Sequence, residues 1–425
     1  MTGEGPRLEQ VETTGGHSTR ERTPRPPPGI IPHAVARPGR RPFRLPPVLP
    51  LARHVYVHVP FCARRCTYCD FSIAVRARVP VDEYVDALEQ ELTVRLGAAP
   101  AHDARPAVDT LYFGGGTPSR LGGAGVARAV AVLARWFAWD SSAEVTLEAN
   151  PDDVTPDAAH AWRAAGITRA SLGSQTFDPA ALAWMRRAHT ADQVERAVAD
   201  LRAAGIADLS LDLIFALPDA VARDWRADVC RALALAPTHL SLYGLTVEPG
   251  TPLGRWSQRG EVAEADEDRY ADEFMIAHDL LGAAGYEHYE VSNFARPGHQ
   301  ARHNSAYWRG VPYLGLGPSA HGFDGARRRW NVSAYAEWVR TLAAGHDPMA
   351  GDEALDAGAR LPEEVYLGLR TRDGLALAPG DADRASRWVD AGWAELDGAR
   401  LRLTADGWLR LDALAADLTS LRSYS

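Results

Sequence analysis

The sequence predicts an α/β protein: an open, partial (β/α)6 barrel followed by a smaller α+β module of winged-helix-like type. Three observations predict it. Between residues 51 and 290, six short apolar runs alternate with six amphipathic segments. That order makes a parallel sheet with right-handed crossovers. Six units are two short of the eight that close a barrel, so one side should stay open. After residue 330 the order changes to tryptophan-bearing helices and a hairpin pattern.

The expected strands are 54–59, 108–113, 144–149, 168–173, 208–214 and 239–244. Each is a short apolar run of strand length. The expected helices are 81–97, 124–137, 156–165, 178–204, 219–235 and 263–285. Residues 286–322 are rich in glycine and aromatics and read as a long connection without regular structure. Such loops are functional or disordered, and the aromatics argue against disorder. Near the end, 393–403 reads as a hairpin with Asp397-Gly398 as its two-residue turn.

At 425 residues the chain should hold two or more domains. The expected division is 1–50, 51–290 and 291–425. Residues 1–50 carry eleven of the 29 prolines and a net charge of about +4. Dense proline and low hydrophobicity cannot build a core, so a disordered extension is expected there. The whole chain is 46% hydrophobic, 24% charged and −9 in net charge. That suits a globular protein and argues against non-specific nucleic-acid binding. Every Lys+Arg position is arginine. No apolar run reaches membrane-spanning length and no signal peptide is visible, so the expected location is cytoplasmic.

Cysteine use is the strongest local signal. Three of the four cysteines, Cys62, Cys66 and Cys69, follow the first strand in a Cys-x3-Cys-x2-Cys pattern. This is no disulfide framework and fits a reducing compartment. Cys230 lies alone in an amphipathic segment, where a small buried thiol is expected. Clustered thiolates select zinc, copper(I) or iron–sulfur clusters. A structural zinc site wants four protein ligands, and a cluster normally takes four thiolates. Three cysteines on a cubane would leave one iron open to a ligand that is not protein. Zinc remains the competing reading. The loop follows a strand, so it lies on the face where barrel active sites form. Other chemistry-bearing residues fall on that face: the Gly114-Gly115-Gly116-Thr117 turn, Glu148, Gln175 and Asp212. Glycines there let the backbone approach a ligand, and an aspartate among aliphatics is costly to bury without a partner.

With Tyr68 before its last cysteine, the cysteine loop resembles the signature of radical S-adenosylmethionine (SAM) enzymes. Tyr56-Val-His-Val-Pro-Phe-Cys62 is similar to the branch that holds coproporphyrinogen dehydrogenases and HemW. The resemblance covers about residues 51–425 and implies a partial barrel. It also implies a [4Fe–4S] cluster on Cys62, Cys66 and Cys69, with SAM chelated to the open iron. The SAM contacts it implies are Tyr56, Tyr68, Gly115, Gly116, Thr117, Glu148, Gln175, Arg187 and Asp212, with Arg186 as the competitor of Arg187. The branch usually has glycine where Ala216 stands.

Within the branch two features choose. The dehydrogenases carry a fourth cysteine two residues after the third, where this chain has Phe71. The string His303-Asn304-x-x-Tyr307-Trp308 resembles the HemW haem motif. It implies haem on His303, with Asn304 orienting the imidazole and Tyr307 and Trp308 shaping the pocket. His299 and His321 compete as ligands. Without the resemblance, these aromatics read as a plug for the barrel's open side and Asn304 as a helix cap. The expected function is thus a haem chaperone that delivers haem to acceptor proteins, with enzymatic activity left open. The alternative is an oxygen-independent coproporphyrinogen III dehydrogenase. A zinc-bound interaction protein is a distant third. A membrane surface is one place to look for the acceptor, and a homodimer one assembly to look for.

Overall fold

A computed structural model describes residues 52–423. The extension expected at 1–50 lies outside the described residues. Six parallel strands form as expected: β1 (His54–Val59), β2 (Thr110–Gly115), β3 (Glu144–Ala149), β4 (Arg169–Gln175), β5 (Asp208–Phe215) and β6 (His239–Gly244). The sheet nevertheless has nine strands. β7 (Glu287–Glu290) and β8 (Asn293–Ala295) form an antiparallel pair beside β6, and β9 (Leu314–Leu316) lies parallel to β1 on the far edge. The order is β9–β1–β2–β3–β4–β5–β6–β8–β7. The stretch read as an unstructured connection therefore supplies three sheet strands. They were missed because each is only three or four residues long and is decided by pairing, not by its own pattern.

The helices follow their strands: α1 (Val81–Leu96), α2 (Gly122–Trp136), α3 (Pro156–Ala164), α4 (Pro179–Trp184), α5 (Ala191–Ala203), α6 (Trp225–Ala234), α7 (Pro252–Gln258) and α8 (Glu267–Ala283). The single helix expected over 178–204 is two. Arg186 takes a left-handed φ of 57°, and Thr190 then opens α5 with a capping box on Gln193. The helix expected from 219 starts at Trp225, where Asp224 caps it through Ala227 N–H. α2 shows why these helices pack: Val126, Ala129, Val130, Leu133 and Trp136 fall on one face and are buried. Each large apolar side chain buried this way contributes about 1.5–3 kcal/mol.

Strand alternation sorts the barrel into two environments. Val55, Val57, Leu111, Phe113, Val145, Leu147, Leu172, Leu211 and Leu240 join the helices in the hydrophobic core. Their neighbours of the other parity are His54, Tyr56, Thr110, Tyr112, Glu144, Glu148, Ser171, Asp212, His239 and Ser241. Several bond across the strands: His54 with Thr110, Tyr112 with Glu148, Ser171 with Asp212, and His239 and Ser241 with Ser210. The core thus lies outside the barrel, and the lumen is polar.

After β9 come an antiparallel sheet of β10 (His321–Phe323), β11 (Arg327–Asn331) and β12 (Met349–Ala354), and α10 (Tyr335–Ala343). The terminal module runs α11 (Ala357–Arg370), β13 (Leu375–Ala376), α12 (Ala382–Asp390), β14 (Ala394–Asp397), β15 (Arg400–Leu403), α13 (Ala405–Trp408) and α14 (Leu411–Ser423). The predicted hairpin is present, but its two turn residues are Gly398 and Ala399, with Asp397 opposite Arg400. Gly398 has φ 60°, as the first central residue of a primed turn requires. The module packs on the barrel's β7 edge. Arg370 pairs with Glu290 at 2.9 Å, and Trp408 meets His288 edge-on at 4.4 Å.

Candidate cofactor-binding site

The cysteine loop leaves β1 at the end formed by the C-termini of β1–β6. Cys62, Cys66 and Cys69 are partly exposed, with Phe71 half-exposed beyond them. Burial pushes the Cys62 thiol up and the Cys69 thiol up to about 12. The protein by itself therefore keeps these groups as thiols, and a bound metal centre would supply the charge that ionises them. Cys62 Sγ lies 3.4 Å from Thr117 Oγ1, and Arg187 Nη1 lies 3.6 Å from Cys66 Sγ. Tyr68 does not face the strand ends freely; it packs with Met185, Ile214, Leu217 and Val221 and so pins the loop to the rim. His58 holds the other side through Nε2 to the Ser72 carbonyl at 3.1 Å.

Arg187, not Arg186, enters the site. Its Nη2 donates to Asn150 Oδ1 at 2.6 Å and to the Gly173 carbonyl at 2.7 Å, joining the ends of β3 and β4 to the cysteine loop. Arg186 instead stacks over Trp256 at 5.9 Å. Glu148 accepts from Tyr112 Oη at 2.7 Å and from Gly115 N–H at 3.1 Å. Burial pushes its carboxyl up to about 7. Asp212 accepts from Ser171 Oγ at 3.0 Å and Ser210 Oγ at 3.3 Å, and burial raises its pKa as well. Gln175 is buried with φ 65°. Tyr56 sits deeper, stacked on Tyr112, with its hydroxyl 3.1 Å from His58 Nδ1. The glycine turn has a structural cause beside the expected one. A Cβ on Gly115 would lie 2.6 Å from the His58 ring, and one on Gly116 would lie 2.7 Å from the Pro60 carbonyl. Close packing against β1 requires these glycines even before any ligand is considered. Composition and spacing did not mark His58, Tyr112 or Asn150. His58 lies within the Tyr56–Cys62 string but no contact was expected of it, and only the fold brings the three here.

The histidine string lies elsewhere. Residues Arg302–Trp308 form a helix, α9, not a loop. It sits against the first residues of β1, β2 and β3, the end opposite the cysteines. Glu144 accepts from the backbone N–H of Arg302 at 2.8 Å and of His303 at 2.9 Å. Tyr289 Oη accepts from Ala301 N–H. His303 is 1% exposed; Nδ1 meets Thr110 Oγ1 at 2.6 Å and Nε2 meets Tyr307 Oη at 2.7 Å. Burial lowers its pKa to about 3, so the ring is neutral. It stacks on Tyr112 at 5.0 Å. Thr110 and Tyr307, not Asn304, orient the imidazole; Asn304 lies within the helix and Ala301 occupies its N-cap. Trp308 is covered by the Arg370 guanidinium at 4.3 Å. His299 lies on the surface beside Asp208.

The radical SAM superfamily profile matches residues 56–229. A protein of Mycobacterium tuberculosis named heme chaperone HemW is 40% identical over 386 residues, 89% of this chain and 98% of that protein. The Escherichia coli K12 protein of the same name is 38% identical, over 77% of this chain and 88% of its own. A mouse mitochondrial radical S-adenosyl methionine domain-containing protein 1 is 36% identical, over 86% of each. Among solved structures, the E. coli coproporphyrinogen III oxidase HemN, described as a radical SAM enzyme, superposes with a TM-score of 0.70. It is 22% identical over 86% of this chain and 89% of its own. That likeness concerns the fold.

Proposed function

We propose that this chain, which belongs to the HemW family of the radical SAM superfamily, is a haem chaperone that binds haem and passes it to an acceptor protein. The observation that carries this most is the match to proteins named heme chaperone HemW, 38–40% identical over 77–89% of this chain. The alternative, a coproporphyrinogen dehydrogenase, has the fold likeness behind it but neither the identity nor a cysteine at Phe71. The cofactor end fits the donor set of a [4Fe–4S] cluster and SAM. Cys62, Cys66 and Cys69 would be the cluster's protein ligands. Bound there, the cluster would offer one iron without a protein ligand and a source of one electron. Glu148 would receive the ammonium group of SAM, and Asp212 and Gln175 its hydroxyl-bearing part. Arg187 would hold the strand ends in register with the cysteine loop.

Haem ligation by His303 is part of the reading, and the geometry sets a condition on it. Both ring nitrogens are engaged and the residue is buried, so α9 must move before an iron can reach Nε2. Haem uptake through His303 should therefore be limited by that opening. The compartment on this reading is the cytoplasm; no helix among the described residues is long and apolar enough to cross a membrane. The test is anaerobic reconstitution with iron, sulfide, SAM and haem, followed by transfer to an apo-haemoprotein and analysis of the porphyrin. Intact haem delivered to the acceptor supports the chaperone. Protoporphyrinogen formed from coproporphyrinogen, without haem uptake, replaces it with the enzyme.

A further inference from the structure

We propose that Arg223 is a positioning residue for the cofactor end, resting on the reading of that end as the SAM site. Two residues with a Cβ take the left-handed conformation at the ends of adjacent strands: Gln175 at φ 65° and Ala216 at φ 57°. L-residues other than glycine avoid this region because Cβ crowds the following carbonyl. Such outliers persist only where their surroundings over-determine them, and they gather at binding sites.

The surroundings here are two buried carboxylates and one arginine. After Gln175, Asp228 of α6 accepts from Thr176 Oγ1 at 2.6 Å and from Phe177 N–H at 2.8 Å. At the second turn, Glu273 of α8 accepts from Ala216 N–H at 2.7 Å. Arg223 lies between them with its side chain fully buried. Nη1 is 3.4 Å from Asp228 Oδ2 and Nη2 is 3.0 Å from Glu273 Oε2. Nη2 also reaches the Ile214 carbonyl at 3.1 Å. The guanidinium stacks on Trp225 at 4.5 Å, and Trp225 Nε1 donates to the Glu273 carbonyl at 2.7 Å. Arg269 adds a second cation on Glu273 at 3.1 Å.

One fork thus fastens both turns. Without it, Asp228 would be left without a cation in a medium of low dielectric and Glu273 would keep only Arg269. Asp228 would protonate or turn outward, Glu273 would lose the fork that fixes its Oε2, and either change loosens the amides they hold. Gln175 would then leave its place, and the end of the strand that carries Asp212 would lose its anchor. Lysine, a single point charge, cannot serve both carboxylates.

The experiment uses the full chain, reconstituted anaerobically with iron and sulfide. Iron content, haem uptake and SAM affinity are measured for wild type, Arg223→Met, Arg223→Lys and Glu273→Gln. Arg223→Met should weaken SAM at least tenfold, with iron and haem uptake within twofold of wild type and Arg223→Lys intermediate. Adding Ala216→Gly to Arg223→Met should recover several-fold affinity, because glycine takes this φ without a clamp. Should Arg223→Met fail to fold, Glu273→Gln carries the test: it keeps an oxygen for Ala216 N–H but gives up the ion pair, and it should weaken SAM at least threefold. SAM affinity within twofold of wild type in folded Arg223→Met, or in Glu273→Gln, overturns the assignment. So does a parallel loss of iron, haem and SAM, which marks a merely structural role. A wild type that takes up iron but no SAM overturns the cofactor-site reading itself, and this assignment with it.

Discussion

The two ends of the barrel differ in how their polar groups are used. At the α9 end, Glu144 caps two amides, and Thr110 and Tyr307 take both nitrogens of His303. At the cysteine end, half-buried carboxylates are raised by desolvation, turns are left-handed, and thiols lie partly exposed with the Arg187 guanidinium beside Cys66. At the first end the polar groups around His303 are bonded within the protein, Trp308 Nε1 excepted; at the second, raised carboxylates and partly exposed thiols stand together.

The sharpest way to break the comparison is to remove the ligands of the open end. Single changes of Cys62, Cys66 or Cys69 to Ser should reduce iron and sulfide after reconstitution to near zero. The fold, read by circular dichroism, should stay, since the loop buries little apolar surface. Next in size, Asp212→Ala should weaken SAM roughly 10–100-fold, the worth of hydrogen bonds to a charged group, while iron is kept. Unchanged affinity in a calorimetric titration would mean that the carboxylate serves the lumen only.

The closed end should answer in stability instead. Tyr307→Phe leaves a buried ring nitrogen without a partner, at a cost of about 1–3 kcal/mol by urea unfolding. It should also speed haem uptake if His303 is the ligand. A His303→Ala protein that matches wild type in Soret band and affinity would remove His303 from the haem site.

Acidity separates the two ends further. His303 and His288 titrate near 3 in the fold but near 6.5 when unfolded. Their contribution to stability is complete above about 6.5 and is lost as pH falls below it, because the unfolded chain then takes up protons that the fold refuses. Urea midpoints at pH 7.5 and 5.5 test this. Glu148 works in the opposite sense on binding. Its carboxyl ionises as pH rises through about 7, so SAM should bind up to about fourfold tighter at pH 8 than at pH 6.5. A flat profile would exclude Glu148 as the partner of the ammonium.

The smallest effect is expected at Cys230. The sequence suggested a buried thiol there, yet it is exposed on α6. Residue 230 lies on the face of α6 away from Asp228 and Val229, a phase that amphipathicity leaves ambiguous over ten residues. Cys230→Ser should leave iron content unchanged; a fall would draw this thiol into the cluster assignment.

The sequence by itself determined the six parallel strands, the order of their helices and the cysteine loop at the strand ends. Each of these rests on local information: apolar runs, amphipathic segments and spacing within eight residues. The roles of Glu148, Gln175, Arg187 and Asp212 could be expected only through family likeness. Tertiary structure alone decided three other matters. Short strands such as β9 exist only because β1 offers an edge to pair with. Gly115 and Gly116 answer to the bulk of His58 and Pro60 from the neighbouring strand. His303 lies under Tyr112 at the barrel's far end because Glu144 and Tyr289, more than ten residues away in sequence, hold α9 there. Contacts between distant segments leave no periodicity in the chain, so no local pattern could have announced them.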